Sequence, residues 1–336
     1  PRKKLLLWLL VAFTVGTIAS ALAPTFGLVL VARFISALPH GAYFGIASLV
    51  AASLMGPGKR GQGVAFVLSG LTIANVIGVP FITWVGQTTN WRVAYLVVAA
   101  IFALTFAAVA LLVPWQAGDP KATLRNELRA FGRLQVWLAL LIGAIGFGGF
   151  FAVYTYISPM VTTVTGLPES AVPFVLILIG IGMTVGNILG GRMADRSVER
   201  SMMLFFVVLL VGLAVLFFTA ATLAGLLISV FVIAGAASAL SPTIQTRLMD
   251  VAHDSQSIAA ALNHSALNIA NASGAFLGGL TIAAGFGYVS PVAVGAVLAV
   301  AGIVLALVSF GIDRSRIHRG VDTGVVHAQR PTVPID

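Results

Sequence analysis

Cysteine is absent from this chain of 336 residues and charge is scarce, with 10 Asp and Glu and 19 Lys and Arg making up 9% of it. Without cysteine there is no disulfide framework, no thiolate nucleophile and no thiolate metal site, and the five histidines show no ligand spacing. So little charge, beside 59% hydrophobic residues and a mean hydropathy of +1.04, excludes a soluble globule of this size. A glycine-rich phosphate loop ending in Gly-Lys-Ser/Thr is missing, so nothing suggests an ATPase. Missing too are the carboxylate pair, histidine cluster or large extramembrane domain that an intramembrane enzyme or receptor would require.

What the chain does have is a series of apolar runs at 5–22, 26–55, 63–86, 93–113, 136–162, 172–191, 202–219, 223–249, 258–283 and 289–312. Each is long enough to cross about 30 Å of hydrocarbon. The runs are continuous, without polar alternation, so they predict ten helices and not barrel strands. Seventeen of the nineteen cations fall in alternate gaps: Arg2, Lys3, Lys4; Lys59, Arg60; Lys121, Arg125, Arg129, Arg133; Arg192, Arg196, Arg200; Arg247; and Arg314, Arg316, Arg319, Arg330. The other gaps, at 23–25, 87–92, 163–170, 220–222 and 284–288, hold only Arg92. By the positive-inside rule the first set is cytoplasmic, which places both ends of this chain there. Orientation and anionic headgroups account for a pI near 10.7, and cations spread over separate clusters do not form a nucleic-acid face.

The start of the chain, Arg2-Lys3-Lys4 followed by an apolar run and Ser20-Ala21-Leu22-Ala23, imitates a secretory signal peptide. An internal repeat argues otherwise. A shift of 196 residues lays Ser69-Gly-Leu-Thr-Ile-Ala-Asn75-Val-Ile-Gly78 on Ser265-Ala-Leu-Asn-Ile-Ala-Asn271-Ala-Ser-Gly274, and Lys4 on Arg200. The first apolar run then corresponds to an internal helix of the second half. The expectation is a twelve-span protein of which this chain carries helices 3–12. Its parts are an N-terminal helical half at 1–113, a basic cytoplasmic linker at 114–135, a six-helix half at 136–312 and a disordered cytoplasmic tail at 313–336.

Two helical halves of like orientation joined by a basic linker are a transporter architecture. Gly191-Arg-Met-Ala-Asp195-Arg196-Ser-Val-Glu-Arg200 resembles the loop motif of the major facilitator superfamily, with Arg2-Lys3-Lys4 similar to the tail of its first-half copy. The run Arg33-Phe-Ile-Ser-Ala-Leu-Pro39-His40-Gly41-Ala-Tyr-Phe-Gly45 resembles the fourth-helix motif, and the stretch containing Gly78-Val-Pro80 that of the fifth helix in proton-coupled exporters. Val79 departs from the second Gly-Pro element often found there. The resemblance is to the twelve-span drug:proton antiporter group, including arabinose-efflux permeases and chloramphenicol-resistance exporters. It implies an all-α major facilitator fold in a bacterial inner membrane, alternating access, a small amphipathic drug or sugar as partner beside the lipid bilayer, a monomer, and no cofactor beyond the proton gradient. A uniporter or symporter for a sugar, nucleoside or amino-acid-like metabolite remains open, as does a non-transporting fragment that needs a partner.

Candidate residues follow from polarity inside the apolar runs. Arg33 is a cation within a span, where an unpartnered guanidinium costs at least about 2.5–3.5 kcal/mol, so partners are expected. Two readings stand: a pin on neighbouring backbone carbonyls, or the proton-exchange role that the resemblance implies. Ser36, His40 and Phe44 share its helical stripe, and His40 titrates in the physiological range unless it serves only a carbonyl freed by Pro39. On the repeated helices Thr72 and Asn75 correspond to Asn268 and Asn271, and His264 shares a face with the latter pair. Polar faces on two related helices suggest a shared cavity, and interhelical amide bonds would explain the asparagines equally well. Phe147, Phe151 and Tyr154, with Phe150 beside them, make an aromatic stripe suited to an amphipathic solute or to lipid-facing packing. Asn187, Ser238 and Ser241 are lesser cavity candidates. Gly70, Gly78 and Gly86, with Gly274, Gly278 and Gly279 on the repeated helix, are expected where the halves approach closely. Asp195, Arg196 and Arg200, joined by Glu199, are expected to form charge pairs and helix-end contacts that favour one conformation.

Overall fold

In a computed structural model, residues 2–116, 129–252 and 255–318 are described. Continuous apolar sequence becomes helix because the helix satisfies every backbone polar group within itself. The first helices are α1 (Arg2–Leu22), α2 (Phe26–Ala37), α3 (Pro39–Met55), α4 (Arg60–Ile73), α5 (Val79–Thr88) and α6 (Trp91–Leu112). After a 3-10 turn at Arg129–Gly132 come α7 (Leu134–Leu141), α8 (Gly148–Tyr154), α9 (Val172–Arg196), α10 (Val198–Thr219), α11 (Leu223–Ala252), α12 (Gln256–Ala283) and α13 (Ser290–His318). They form ten helical stretches long and apolar enough to cross a membrane. No strand occurs among the described residues.

Local chemistry sets the boundaries. Asn90 caps α6 by accepting from the Val93 N–H at 3.1 Å, and Ser197 caps α10 by accepting from the Arg200 N–H at 3.3 Å. Gly56 and Gly58, with φ of 85° and 74°, make the turn from α3 into α4 that a side chain would strain. α10 begins 196 residues after α1, and α12 begins 196 residues after α4, the offset found in the sequence.

Two spans are less regular than their hydropathy predicts. A π-turn at Ala74–Gly78 separates α4 from α5, just before Pro80, which has no N–H to return to the carbonyl one turn back. Between α7 and α8 a second π-turn, Ile142–Gly146, lies beside Phe206, whose ring occupies the place a Cβ on Gly146 would take at 2.6 Å. The expected disordered tail is helical as far as His318 in α13. Residues 319–336, and 117–128 of the linker, lie outside the described residues.

The largest core joins the helices after residue 129, with Phe206, Ile142, Met160, Leu213, Leu226 and Leu240 buried in it. Lipid removes the hydrophobic incentive, so close backbone packing carries more of the association. Along α9, Gly182, Gly186 and Gly190 lie against the backbone of Phe231, Gly235 and Ala239 of α11, and a Cβ at any of the three would collide with it. A different face of α9 meets α4.

Candidate functional site

The meeting of α9 and α4 is at the end of the bundle that carries Lys59, Arg60, Arg192, Arg196 and Arg200, here called the basic end. α4 starts at Arg60 without a side-chain cap of its own, which leaves first-turn N–H groups without intrahelical acceptors. Asp195, near the last turn of α9, supplies the acceptor from across the junction. Its carboxylate accepts from the Gly61 N–H at 2.6 Å, the Gln62 N–H at 3.2 Å and the Gln62 Nε2 at 2.9 Å. An anion there also complements the positive end of the α4 dipole. Arg60 meets Asp250 of α11 at 3.2 Å.

Beneath these polar contacts the helices interlock. A Cβ on Gly61 would lie 2.5 Å from the Gly191 carbonyl oxygen, and one on Gly191 would lie 2.6 Å from Ala65 Cβ. Asn187, 1% exposed, donates from Nδ2 to the Ala65 carbonyl at 2.6 Å. Farther along, Gly180 faces Val76. Leu49, Val64, Leu68 and Met249 close the layer, with Phe44 against them. α3 also meets α12: Gly41 faces the Ala261 carbonyl, to which a Cβ would come within 3.1 Å.

Several expectations are corrected by this arrangement. Of the charge pairs and helix-end contacts expected of Asp195, the structure shows the helix-end contact: it binds N–H groups and an amide, because an uncapped helix start lies within its reach. Glu199 pairs instead with Arg314 of α13, and Arg196 and Arg200 are exposed. Gly191 is a point of close approach, whereas among the described residues a Cβ on Gly70 would meet nothing within 4 Å, one on Gly78 only Ala74 Cβ at 3.6 Å and one on Gly86 only Ala94 Cβ at 3.8 Å. Gly274 packs on Gly148 and Ala152 of α8, and Gly278 and Gly279 on Tyr156, all among helices after residue 129. Asn187 is a pin between helices and not a cavity wall. Ser238 and Ser241 are buried within α11.

Ser36 leaves the stripe it was expected to share with Arg33. It is buried against α1, where a Cβ on Gly16 would come 2.5 Å from its Cβ, and its Oγ donates to the Arg33 carbonyl at 3.0 Å. Arg33 is exposed, with its guanidinium carbon 5.3 Å from the centre of the Tyr95 ring on α6. A ring face is a weaker partner than an anion and leaves the five donors of the guanidinium directed elsewhere. His40 is exposed and lies 4.9 Å, ring centre to ring centre, from Phe44. Phe44 in turn lies 4.5 Å from His264 of α12.

Asn268 and Asn271 are exposed on the same helix as the buried His264. The side chains of Thr72, Asn75 and Pro80 lie outside those described. The aromatic stripe is a real cluster, with Phe150 and Tyr154 stacked at 5.3 Å and Phe147 and Phe151 at 5.6 Å. Phe147 and Phe150 belong to the core, and Phe151 and Tyr154 are the half-buried members.

One constellation escaped the sequence reading. Arg247, counted there with the gap cations although the run 223–249 includes it, lies inside α11 and is 4% exposed. It binds Asp313 of α13 at 2.6 Å, Gln135 Oε1 at 3.2 Å and Ser309 Oγ at 3.1 Å, over the ring of Phe310 at 4.7 Å. Arg247, Asp313 and Gln135 each sit where a span meets its flanking segment, at one end of the bundle, and that shared level was the available signal.

Comparison with known proteins agrees with this architecture. The Major Facilitator Superfamily matches residues 1–253 and 140–332. The inner membrane transport protein YdhP of Escherichia coli K12 is 38% identical over 307 residues, covering 91% of this chain and 78% of that protein. The chloramphenicol resistance protein of Streptomyces lividans is 31% identical over 309 residues, covering 90% and 79%. Among solved structures, a variant of the E. coli fucose:proton symporter FucP superimposes with a TM-score of 0.71 at 14% identity, covering 92% of this chain and 84% of that one. The human organic anion transporter MFSD10 gives 0.67 at 16% identity, covering 93% and 76%. Ten apolar helices, matched by sequence and by fold over nearly their whole extent, place the chain in the Major Facilitator Superfamily, a family of integral membrane transporters.

Proposed function

We propose that the protein is a secondary transporter that exports a small amphipathic solute in exchange for protons by alternating access in a bacterial inner membrane, with the basic end at the cytoplasm. The observation that carries the reading is the Asp195 carboxylate on the start of α4. This contact joins two helices by a few polar bonds above glycine-lined backbone, so it can be broken and remade without unfolding either helix. Likeness to the chloramphenicol resistance protein supports export. Likeness to a proton symporter extends to the fold alone, and supports uptake less. Energetically, one proton entering across about 100 mV releases about 2.3 kcal/mol, which sustains about a fifty-fold gradient of a neutral solute.

The orientation has a direct test, helped by the absence of cysteine. Thr89→Cys in intact cells should react with an impermeant thiol reagent, and Arg192→Cys only after the membrane is opened. The reverse pattern would overturn the assignment.

Proton coupling is tested at Arg33. Lysine keeps the charge but loses the planar fork that reaches several acceptors at once. Arg33→Lys should insert and fold, lose proton-driven efflux by about tenfold or more, and retain counterflow in proteoliposomes, since fork geometry is needed for coupling and not for solute exchange. Normal gradient-driven efflux by Arg33→Lys would remove this residue from the coupling step. Absence of pH-gradient-driven transport of any tested chloramphenicol-like or sugar solute by the unaltered protein would sink the reading as a proton-coupled exporter.

A further inference from the structure

His264 is a buried imidazole, 6% exposed, whose Nε2 has no hydrogen-bond partner among the described residues. What faces it is another imidazole. His40 of α3 lies with its ring centre 6.1 Å away, edge to face, and Phe44 packs against both rings. The two come from helices on opposite sides of the junction, where Gly41 of α3 touches the α12 backbone. His40 is exposed and His264 is not, so the pair has one open side and one sealed side. Fifteen residues of α3 separate His40 from Met55 at the basic end, about 22 Å of helix, which is midway along the span Phe26–Met55. Below the pair lies the apolar layer of Leu49, Val64, Leu68 and Met249; the pair therefore roofs the closed end.

No carboxylate among the described residues neutralises these rings. Among the titratable residues of α12, His264 stands alone, and α3 adds Tyr43 beside His40. From α11 the charged groups are Arg247 and Asp250, engaged with Asp313 and Arg60. α7 and α8 bring only Tyr154, and α13 has no charged residue before Asp313. α1 presents the Phe13 ring to His40 at 6.4 Å, and its own cations, Arg2 to Lys4, are at its far end. α4 brings only Arg60, also at its far end, and Arg33 on α2, a fixed positive charge, lies about two turns away along the chain. Among the described residues, every fixed charge near the pair that lacks a counter-ion is thus positive.

We propose that His40 and His264 together form a proton-binding pair that couples protonation to opening of the basic end. With both rings neutral the junction closes and His264 is sealed against Phe44. Protons arriving from the open side at His40 charge the pair, and two imidazolium ions across a closed junction repel. At this separation and an effective dielectric of about 20, that repulsion shifts the closed-to-open ratio by about 100-fold. Moving α3 away from α12 relieves it and wets His264, so the protonated carrier opens toward the basic end and releases its protons there. The sign is the one an exporter needs, since protons taken up from outside drive the return to the cytoplasm-facing state. The inference deepens the proton-coupled reading and rests on it for direction alone.

The test uses the whole chain in nanodiscs, with the same pH on both sides and spin labels on Lys59→Cys and Arg192→Cys at the basic ends of α4 and α9. Lowering the pH from about 8 to about 5.5, across the ordinary imidazole range, should transfer population from a short to a long distance, changing their ratio at least about tenfold. His40→Gln and His264→Gln should each hold that change below about twofold. His40 is exposed, so its variant is expected to fold even where the His264 variant does not, and size-exclusion elution verifies this. A full response in either folded variant, or none in the unaltered protein, overturns the pair even if pH-gradient-driven transport is present. A response that depends on both histidines, in a protein without pH-driven transport, keeps the gate and overturns the exporter reading instead.

Discussion

Asp313→Ala should destabilise the folded protein by about 3–5 kcal/mol, the cost of leaving a buried ion without its partner. Arg247 is 4% exposed and shares its charge among Asp313, Gln135 Oε1 and Ser309 Oγ. Gln135 also donates to the Ser309 carbonyl at 3.0 Å, so the network ties α7, α11 and α13 together at one end. Removing the carboxylate leaves a guanidinium held by neutral acceptors in a low-dielectric site. Glu199→Ala breaks the more exposed pair with Arg314, whose side chains are 35% and 68% exposed, and should cost about 0–1 kcal/mol. Replacing both buried partners, Arg247→Met with Asp313→Leu, should restore most of the loss, because an apolar pair of similar volume needs no charge compensation. Unfolding in detergent followed by tryptophan fluorescence measures all three. A loss under about 1 kcal/mol for Asp313→Ala would show that the ion pair does not hold these helices.

The contrast between Asp195 and Arg247 explains what the sequence makes legible. The ten spans and the repeat offset follow from hydropathy and register, which are properties of single segments. Asp195 was legible as a motif residue that makes helix-end contacts, but which helix it meets was not. Backbone N–H groups at the start of α4 carry no side-chain signature, and only the tertiary approach of α9 brings them to 2.6 and 3.2 Å from the carboxylate. Arg247 was misplaced because a cation at a span boundary has the same hydropathy whether it faces water or turns inward to Asp313. Ser36 fails for a different reason: spacing groups it with Arg33 and His40, yet the small Gly16 on α1 draws Ser36 into contact and buries it, while Arg33 and His40 stay exposed. The glycines show the same limit. Gly61 and Gly191 look no different in sequence from Gly70 and Gly78, and only the helix opposite decides which of them is obligatory. The bridge from His40 to His264 through Phe44 joins residues far apart in the chain, and neither residue's neighbours announce it.

Gly191→Leu should abolish transport while leaving a folded, membrane-inserted protein whose basic end no longer closes. The reason is the nature of what a side chain would meet there: Ala65 Cβ at 2.6 Å, the Gly61 carbonyl oxygen at 2.8 Å and Gln62 Cα at 3.3 Å. These are backbone atoms or the first carbon of a side chain, so none can swing aside, and α4 must move away from α9 bodily. That movement withdraws Asp195 from the Gly61 and Gln62 N–H groups and Asn187 from the Ala65 carbonyl. The clash exists only in the closed state. With the helices apart, a side chain at 191 costs nothing and replaces a glycine that weakens a helix by about 1 kcal/mol. The substitution is therefore a wedge on one conformation and not a general destabiliser. Val64, fully buried in the layer that closes the end, reports on it. Val64→Cys should be protected from a maleimide in the otherwise unaltered protein and react at least about tenfold faster beside Gly191→Leu, an effect of about 1.4 kcal/mol or more on the closing equilibrium. Gly191→Ala should fall between the two. Gly311→Ala, where a Cβ would meet nothing within 4 Å among the described residues, should change neither reactivity nor transport. Continued protection of Val64→Cys in a folded Gly191→Leu protein would mean that α4 and α9 do not form the closing seam, and the Asp195 contact would lose its place in the transport cycle with it.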